Sequence, residues 1–170
     1  WGSSAYGLLL KEINDAEILN NTFEQNTIGI FVEGSNRVQY RYNTFKKNGW
    51  AIKFSGGCEE NIFNQNNLIN NSLDLIVNTK LSSNEFHHNY WSNYSGYDLD
   101  HDGIGDIPQY PVKLFSYILD QSPESIVLMR SLFVDIINFS ERVSPVFTPK
   151  EVFDPYPLME EIHDTNKEFK

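Results

Sequence analysis

Alternating aspartates between positions 98 and 106 have the spacing of a loop that could bind a calcium ion. The candidate oxygen ligands are the carboxylates of Asp98, Asp100, Asp102 and Asp106 and the backbone carbonyl of Ile104. Calcium takes oxygen ligands, and carboxylates at alternate positions of a tight, glycine-containing turn can converge on one ion. No helix-forming pattern precedes the loop, so it is unlike an EF-hand. We predict a calcium site here, with an acidic surface loop as the alternative.

Few side chains could bind a soft metal such as copper. The weak candidates are Met129, Met159 and His101, whose thioether and imidazole groups suit copper. Met129 lies in an apolar stretch that predicts a helix, where a methionine usually belongs to the core. His87 and His88 would point to opposite sides of an extended strand, so we expect them not to share an ion.

No cluster of acidic and basic residues indicates catalysis. A β-helix enzyme acting on acidic polysaccharides needs such groups at matching positions of neighbouring coils. The only candidates are Asp74, Lys53 and Arg41, and they fall at different phases of the repeat described below. We therefore predict no catalytic residues.

An aromatic run precedes the aspartate loop. Tyr90, Trp91, Tyr94 and Tyr97 could stack against a sugar, but residues of this kind more often close the end of a core. We expect core closure.

The chain before position 90 is a repeat with the pattern Asn-x-(Phe/Leu)-x-x-Asn. Its four copies begin at Asn21, Asn43, Asn66 and Asn84, in steps of 22, 23 and 18 residues. A period near 22 residues indicates one structural unit per repeat. An apolar column five residues before each Phe or Leu keeps the same phase; its members are Ile18, Tyr40, Phe63 and Leu81.

Short alternating apolar stretches around each repeat predict β-strands. Leu8, Ile30, Ile52 and Leu75 share one side of these strands, while Lys53 marks the other side as outward-facing. The outward apolar positions Leu9, Phe31 and Ile76 indicate either a partner surface or burial under a neighbouring segment. The leucine skeleton of leucine-rich repeats is absent, so the pattern favours a parallel β-helix. Asparagines at one corner of stacked coils could bond to each other and adopt the left-handed corner conformation.

The amino-acid composition and the net charge exclude some classes of binding partner. The 170 residues carry a formal net charge of −10, which repels nucleic acid and anionic membranes, so we expect no nucleic-acid partner. Cys58 is the only cysteine, which excludes an intrachain disulfide. The chain opens at Trp1 without a methionine or a signal-peptide pattern, so we expect a missing N-terminal portion.

The last third of the chain predicts helices. Ser122 and Pro123 are typical of a helix start, and the helix should run from 123 to about 143. Its broad apolar surface must either cap the repeats or dock on another protein. We therefore predict a mainly β protein, a parallel β-helix with a C-terminal α-helical cap. Its parts are β-helix coils at 1–94, an aspartate–glycine loop at 95–111, a helical cap at 112–163 and a frayed tail at 164–170.

Three stretches of the chain resemble the C-terminal part of the NosD family. They are the Asn-x-Phe-x-x-Asn coils, the segment NYWSNYSGYDLDHDGIGDIPQYP at 89–111, and the tail SPESIVLMRSLFVDIINFSERVSPVFTP followed by DPYPLM. Together these stretches cover nearly the whole chain, and the tail is the most specific of them.

NosD proteins are periplasmic copper-processing accessory proteins in the maturation of nitrous oxide reductase. The resemblance implies a right-handed parallel β-helix in the periplasm, associated peripherally with a membrane complex. It implies an ABC transporter ATPase and permease, a copper chaperone and apo nitrous oxide reductase as partners, with copper as cargo and no enzymatic activity. Two other functions fit the repeats alone, namely a carbohydrate-binding or carbohydrate-active β-helix and a calcium-stabilised adhesin.

Overall fold

The computed structural model describes residues 6–77, 83–113, 131–143 and 152–163, together with residues 115, 118, 125 and 128. The elements whose bounds it gives are twelve short strands and the helix α1 (Leu132–Val143); the single described positions 115 and 118 are also helical. In chain order the strands are β1 (Tyr6–Lys11), β2 (Glu17–Leu19), β3 (Thr22–Glu24), β4 (Ile28–Glu33), β5 (Gln39–Arg41), β6 (Thr44–Lys46), β7 (Trp50–Ser55), β8 (Ile62–Asn64), β9 (Asn67–Ile69), β10 (Leu73–Val77), β11 (Glu85–His87) and β12 (Tyr90–Trp91).

The strands form three parallel sheets that wind around one core. The first sheet has the order β1-β4-β7-β10, the second β2-β5-β8-β11 and the third β3-β6-β9-β12. Three consecutive strands therefore make one coil, and four coils stack. The predicted column of Leu8, Ile30, Ile52 and Leu75 is in register across the first sheet. The predicted parallel β-helix is thus confirmed.

Columns of equivalent side chains fill the interior. The rings of Tyr40, Phe63 and Phe86 stack face to face, with centroids 4.1 Å and 4.8 Å apart. Phe54 meets Phe63 edge-on from the first sheet, at 5.6 Å. Each such pair adds about 1 kcal/mol beyond the burial of its apolar surface. The inward positions of the alternating strands therefore form the core, as their periodicity predicts.

Asparagines at one corner form a continuous ladder along the coils. The Oδ1 atom of Asn66 accepts hydrogen bonds from the backbone N and the Nδ2 atom of Asn43, both at 3.0 Å. The Oδ1 atom of Asn43 accepts the same two hydrogen bonds from Asn21, and the Oδ1 atom of Asn89 accepts them from Asn66. These bonds satisfy polar groups that a tight corner would otherwise bury without partners. The predicted asparagine contacts between coils are confirmed.

The left-handed corner conformation belongs to the residue before each ladder asparagine. Positive φ angles of 54° to 56° occur at Asn20, Tyr42, Gln65 and His88. The expectation that the ladder asparagines themselves adopt this conformation is wrong, because they use their side chains to bond to neighbouring coils. The corner residue only has to tolerate the strained backbone.

The fourth repeat copy lies one face earlier in its coil than its spacing suggests. Phe86 pairs with Phe63 in the second sheet, and Trp91 pairs with Leu68 in the third. Asn84 is therefore equivalent to Asn61, whose backbone N and Nδ2 atom donate to the Oδ1 atom of Asn84. The step of 18 residues therefore compares two different corners of the coil and is wrong as a repeat length. Leu81, which the sequence places in the column of Phe63, lies outside the described residues.

An extended segment, residues 152–163, covers the end of the last coil. Leu158 forms bridges with Tyr90 and Ile104, and Val152 joins the solenoid core. A helical cap reaching residue 163 was expected, but this stretch contains no helix. Pro155 and Pro157 lack the N–H donors that a helix interior needs. The other boundaries of the predicted division remain predictions.

Asp154 ends the asparagine ladder. Its Oδ2 atom accepts hydrogen bonds from the backbone N and Nδ2 of Asn89 and from the Nε1 of Trp91, each at 3.0 Å. Its Oδ1 atom accepts from the backbone N–H groups of His88 and Tyr156. The carboxylate is fully buried and takes the place that the oxygen of a next asparagine would occupy.

Helix α1 packs on the outer surface of the first sheet beside the last coil. Val134 lies against Leu73 and Ile76, with Ile137 partly buried at the same contact. Among the outward apolar positions, Ile76 is therefore covered by the tail, whereas Leu9 is 48% exposed. The helix was predicted to begin at position 123, but it begins at Leu132, directly after a bend at Ser131; the predicted N-cap lies outside the described residues.

We predict that Asp154→Ala lowers the free energy of unfolding by about 3 kcal/mol, because it leaves several buried N–H donors without an acceptor. Asp154→Asn should lower the free energy of unfolding by less, because one amide oxygen can still accept hydrogen bonds from Asn89 and Trp91. The measurement is urea unfolding followed by circular dichroism, with the exposed Asp135→Ala as the control. An Asp154→Ala midpoint equal to that of the control would contradict a stabilising role for this carboxylate.

Candidate functional site

The aspartate loop, residues 98–106, lies at the covered end of the solenoid. The backbone N–H groups of His101 and Gly103 donate to the two carboxylate oxygens of Asp98, at 2.7 Å and 2.9 Å. His101 and Gly103 adopt φ angles of 60° and 86°, which fold the loop tightly around that carboxylate. The loop is held to the extended segment because the backbone N of Gly105 donates to the carbonyl of Pro157 at 2.8 Å.

Three of the five predicted calcium ligands converge. Carboxylate oxygens of Asp98, Asp100 and Asp102 lie within 4.8 Å of one another. Two oxygens on opposite sides of a calcium ion are about 5 Å apart, so this spacing suits one cation. Asp106 lies outside this group; its Oδ2 atom accepts a hydrogen bond from the backbone N of Leu99 at 2.8 Å. Ile104 pairs with Leu158.

The carboxylates of this loop affect each other's protonation. The nearby charge of Asp102 raises the pKa of Asp100 above its ordinary value. Desolvation raises the pKa of Asp98, but hydrogen bonds from the backbone of Gly103 and His101 outweigh it, so the net pKa is lowered. A bound cation would relieve the repulsion between Asp100 and Asp102. Calcium binding itself remains a prediction.

The neighbouring corner brings two imidazoles together, which sequence reasoning had excluded. The Nδ1 atoms of His87 and His88 lie 3.4 Å apart, with the ring planes at 89°. The expectation of opposite directions assumed an extended strand, but His88 has a φ of 56° and turns the chain. The His88 ring also stacks on Tyr156, with centroids 5.4 Å apart.

A pocket of about 540 Å³ opens beside this histidine pair. Its lining residues come from the corner, the aspartate loop and the extended segment; they are His88, Asp102, Ile104, Gly105, Asp106, Pro155 and Tyr156. The pocket therefore combines one imidazole of the pair with two carboxylates, and these groups are of types that bind metal ions.

The three weak copper candidates have different surroundings. His101 is exposed in the aspartate loop, and it lies outside the group formed by Asp98, Asp100 and Asp102. Met159 is half-buried beside that loop, where its backbone N donates to the carbonyl of Gly103 at 3.0 Å. Met129 lies outside the described residues. Among described imidazole groups, the His87–His88 pair fits copper best, since two ring nitrogens lie close together and imidazole nitrogen is a suitable ligand.

The aromatic run largely closes the core. Trp91 is 1% exposed, and Tyr94 packs against the same cluster while its hydroxyl donates to the carbonyl of Ile107 at 2.7 Å. Core closure is therefore confirmed for these two residues. Tyr97 is 51% exposed and does not take part in it.

Two of the three residues considered for polysaccharide chemistry, Asp74 and Lys53, make contacts with neighbouring side chains of the solenoid. Asp74 is buried, and its carboxylate accepts hydrogen bonds from Asn93 and Asn71. Burial raises its pKa to about 6, although the charge of Lys113 acts in the opposite direction. The ammonium of Lys53 lies over the ring of Phe31, 5.6 Å from its centroid. Asp74 and Lys53 thus have local contacts, whereas the Nε atom of Arg41 is buried without a hydrogen-bond partner among the described residues.

The chain matches the family model described as periplasmic copper-binding protein (NosD) over residues 1–96. It is 31% identical over 120 residues, 69% of its length, to a probable ABC transporter binding protein NosD of Stutzerimonas stutzeri. It is 25% identical over 171 aligned positions, 91% of its length, to the protein of the same name from Pseudomonas aeruginosa. It spans only 28% and 40% of these two relatives. No helix among the described residues is long and apolar enough to span a membrane.

We predict that millimolar calcium raises the melting temperature by about 2–4 °C, because binding to the folded loop stabilises it. Asp100→Ala should abolish this rise, whereas the exposed Glu59→Ala should retain it. Differential scanning calorimetry with and without calcium measures the effect. An absence of any calcium-dependent shift in the unmodified protein would refute the assignment.

Asp74 should make stability depend on pH. Its pKa is about 6 in the folded protein against an ordinary 3.8, so folding favours its protonated form. Its contribution to stability is therefore greatest below the lower value and is lost as pH rises through the higher one. Relative to Asp74→Asn, the unmodified protein should lose about 2 kcal/mol between pH 4 and pH 7. Urea unfolding at several pH values measures this difference; a constant difference would contradict it.

Proposed function

Since the chain belongs to the NosD family of periplasmic copper-binding proteins, we propose that it is part of a binding and assembly subunit of an ABC-type copper-insertion system. The observation that carries this proposal is the family match over 1–96, which coincides with the coils of the solenoid. The names of the two relatives, probable ABC transporter binding proteins, support association with a transporter. The chain spans less than half of each relative, so the activity of the whole protein is part of the proposal.

In this proposal the protein acts in the periplasm and matures nitrous oxide reductase. It receives copper from a chaperone and supplies it to the apo-reductase, while its transporter partners, an ATPase and a permease, hold it at the membrane. The family description supports a periplasmic location and copper as the cargo. A stacked solenoid suits this role because its long, regular sides offer separate surfaces to several partners.

The outer face of α1 is the surface that we assign to the transporter. Leu132, Phe133, Ile136 and Phe139 are 75%, 50%, 54% and 67% exposed, while Val134 on the opposite side is buried against the solenoid. Large apolar side chains clustered on one exposed helix face mark a site of interaction with another protein.

An accessory role fits the chemistry better than an enzymatic one. The two relatives are named as binding proteins. Asp74 and Lys53, which a polysaccharide-active β-helix would use, instead pack against Asn93 and Phe31 respectively. The carbohydrate alternative therefore gains no support from these residues.

We predict that Leu132→Ser combined with Phe139→Ser weakens association with the ABC transporter about tenfold or more, because two exposed apolar anchors are removed. The test is co-purification of the full-length protein with the ATPase and permease subunits, alongside a variant that lacks residues 112–170. Leu99→Ser is the matched control, since Leu99 is as exposed as Leu132, at 75%, but lies in the aspartate loop.

Three results would refute the proposed function or a part of it. The first is a full-length protein that never co-purifies with the transporter subunits. The second is hydrolase or lyase activity on a polysaccharide. The third, fully copper-loaded nitrous oxide reductase in cells that lack the protein, would refute its role in maturation.

A further inference from the structure

One corner of the second sheet changes its chemistry in the last coil. In the three earlier coils, the equivalent residue pairs are Leu19–Asn20, Arg41–Tyr42 and Asn64–Gln65. In the last coil this corner carries His87 and His88. The backbone turns in the same way at each of these positions, so the histidines are not needed to form the corner.

The two imidazoles are spaced to share one metal ion. Imidazole nitrogen binds copper or zinc at about 2.0–2.1 Å, so two nitrogens 3.4 Å apart can both reach a single ion. The angle that they would subtend at the ion is roughly 110–115°, close to tetrahedral. The same distance is long for a hydrogen bond between ring nitrogens, which gives the pair little stability of its own.

Contacts around the pair fix the His88 ring before any ion binds. The ring stacks on Tyr156, and the backbone N–H groups of His88 and Tyr156 both donate to the Oδ1 atom of Asp154. Because that carboxylate is also the end of the asparagine ladder, the corner and the tyrosine are held to the rigid core. Prearranged ligands of this kind bind metal with less loss of conformational entropy.

A second polar group beside the pair is unsatisfied. Asn64 pairs with His87 in the neighbouring coil, and its Oδ1 atom is buried without a hydrogen-bond partner among the described residues. Paired residues in adjacent parallel strands lie about 4.8 Å apart, and their side chains leave the sheet on the same face. Within this pair the amide oxygen of Asn64 is a candidate acceptor for the His87 ring nitrogen that does not bind the ion, and such a bond would orient the ring.

The pair is open to a partner on one side. His88 lines the pocket that also contains Asp102 and Asp106, and these carboxylates make the approach to the imidazoles attractive to cations. Two protein ligands leave coordination positions free. A donor from another protein can occupy such a position and exchange the ion directly, which suits transfer better than storage.

On the basis of the copper-handling function proposed above, we propose that the Nδ1 atoms of His87 and His88 hold one copper ion during its transfer between partner proteins.

The chain itself supplies the matched variant. His87→Asn combined with His88→Gln copies the Asn64–Gln65 corner of the preceding coil, where Gln65 has a φ of 54°. This double variant should fold normally because the backbone bonds to Asp154 do not depend on the side chains. His163→Asn, at an exposed histidine elsewhere in the extended segment, is the control.

The experiment is an anaerobic titration with copper(I) in competition with a chromophoric chelator, using the full-length protein. The unmodified protein and His163→Asn should bind one more equivalent than the double variant. His87→Asn alone should weaken that equivalent about tenfold or more, since it removes one of two ligands. X-ray absorption of the copper-loaded protein should show imidazole nitrogen ligands that are lost in the double variant.

Equal copper binding by the unmodified protein and the double variant would overturn the inference, as would the absence of imidazole nitrogen from the absorption spectrum. Co-purification with the transporter separates this outcome from failure of the proposed function. A double variant that still co-purifies but has lost the copper equivalent supports the histidine site. A protein that binds copper at the pair but never meets the transporter refutes the proposed function and leaves the site intact.

Discussion

One-way hydrogen bonding between stacked asparagine amides is the constraint on which the solenoid depends. At each step, the backbone N and Nδ2 of one coil donate to the side-chain oxygen of the next coil, as Asn43 does to Asn66. Every coil therefore satisfies donors of the coil before it, and the last coil is left with donors and no acceptor. Asp154 meets this need because a carboxylate accepts without donating. An asparagine in its place would bring an amide that needs an acceptor of its own.

Much of this architecture could be predicted from the sequence because the ladder repeats. The asparagine spacing, the alternating strands and the aromatic columns all repeat with the same period. This period predicts stacked coils, whose equivalent strands form the parallel sheets. The phase of the last copy could not be predicted with equal certainty. In the third coil two faces carry the same asparagine motif, beginning at Asn61 and at Asn66, so Asn84 can be aligned with either of them, and only the strand register decides.

The end of the solenoid was harder to predict because distant segments build it. Asp154 meets Asn89 across 65 residues of sequence, and no local pattern connects them. The histidine pair was excluded by a rule that holds for extended strands, whereas His88 has the left-handed backbone of a corner. Aligning His88 with Gln65 of the preceding coil would have shown that His88 lies at a corner and not within an extended strand. The convergence of Asp98, Asp100 and Asp102, by contrast, follows from spacing alone.

The separation of the ladder's end from the coils has an evolutionary consequence. Asp154 requires only the amide donors of the last coil. A whole coil elsewhere in the solenoid can therefore be duplicated or deleted without changing the contacts of Asp154. Each such event changes the reach of the rod by about 4.8 Å, the distance between neighbouring strands. Homologues could thus fit partners of different size through length alone, while the surface at the tip stays the same.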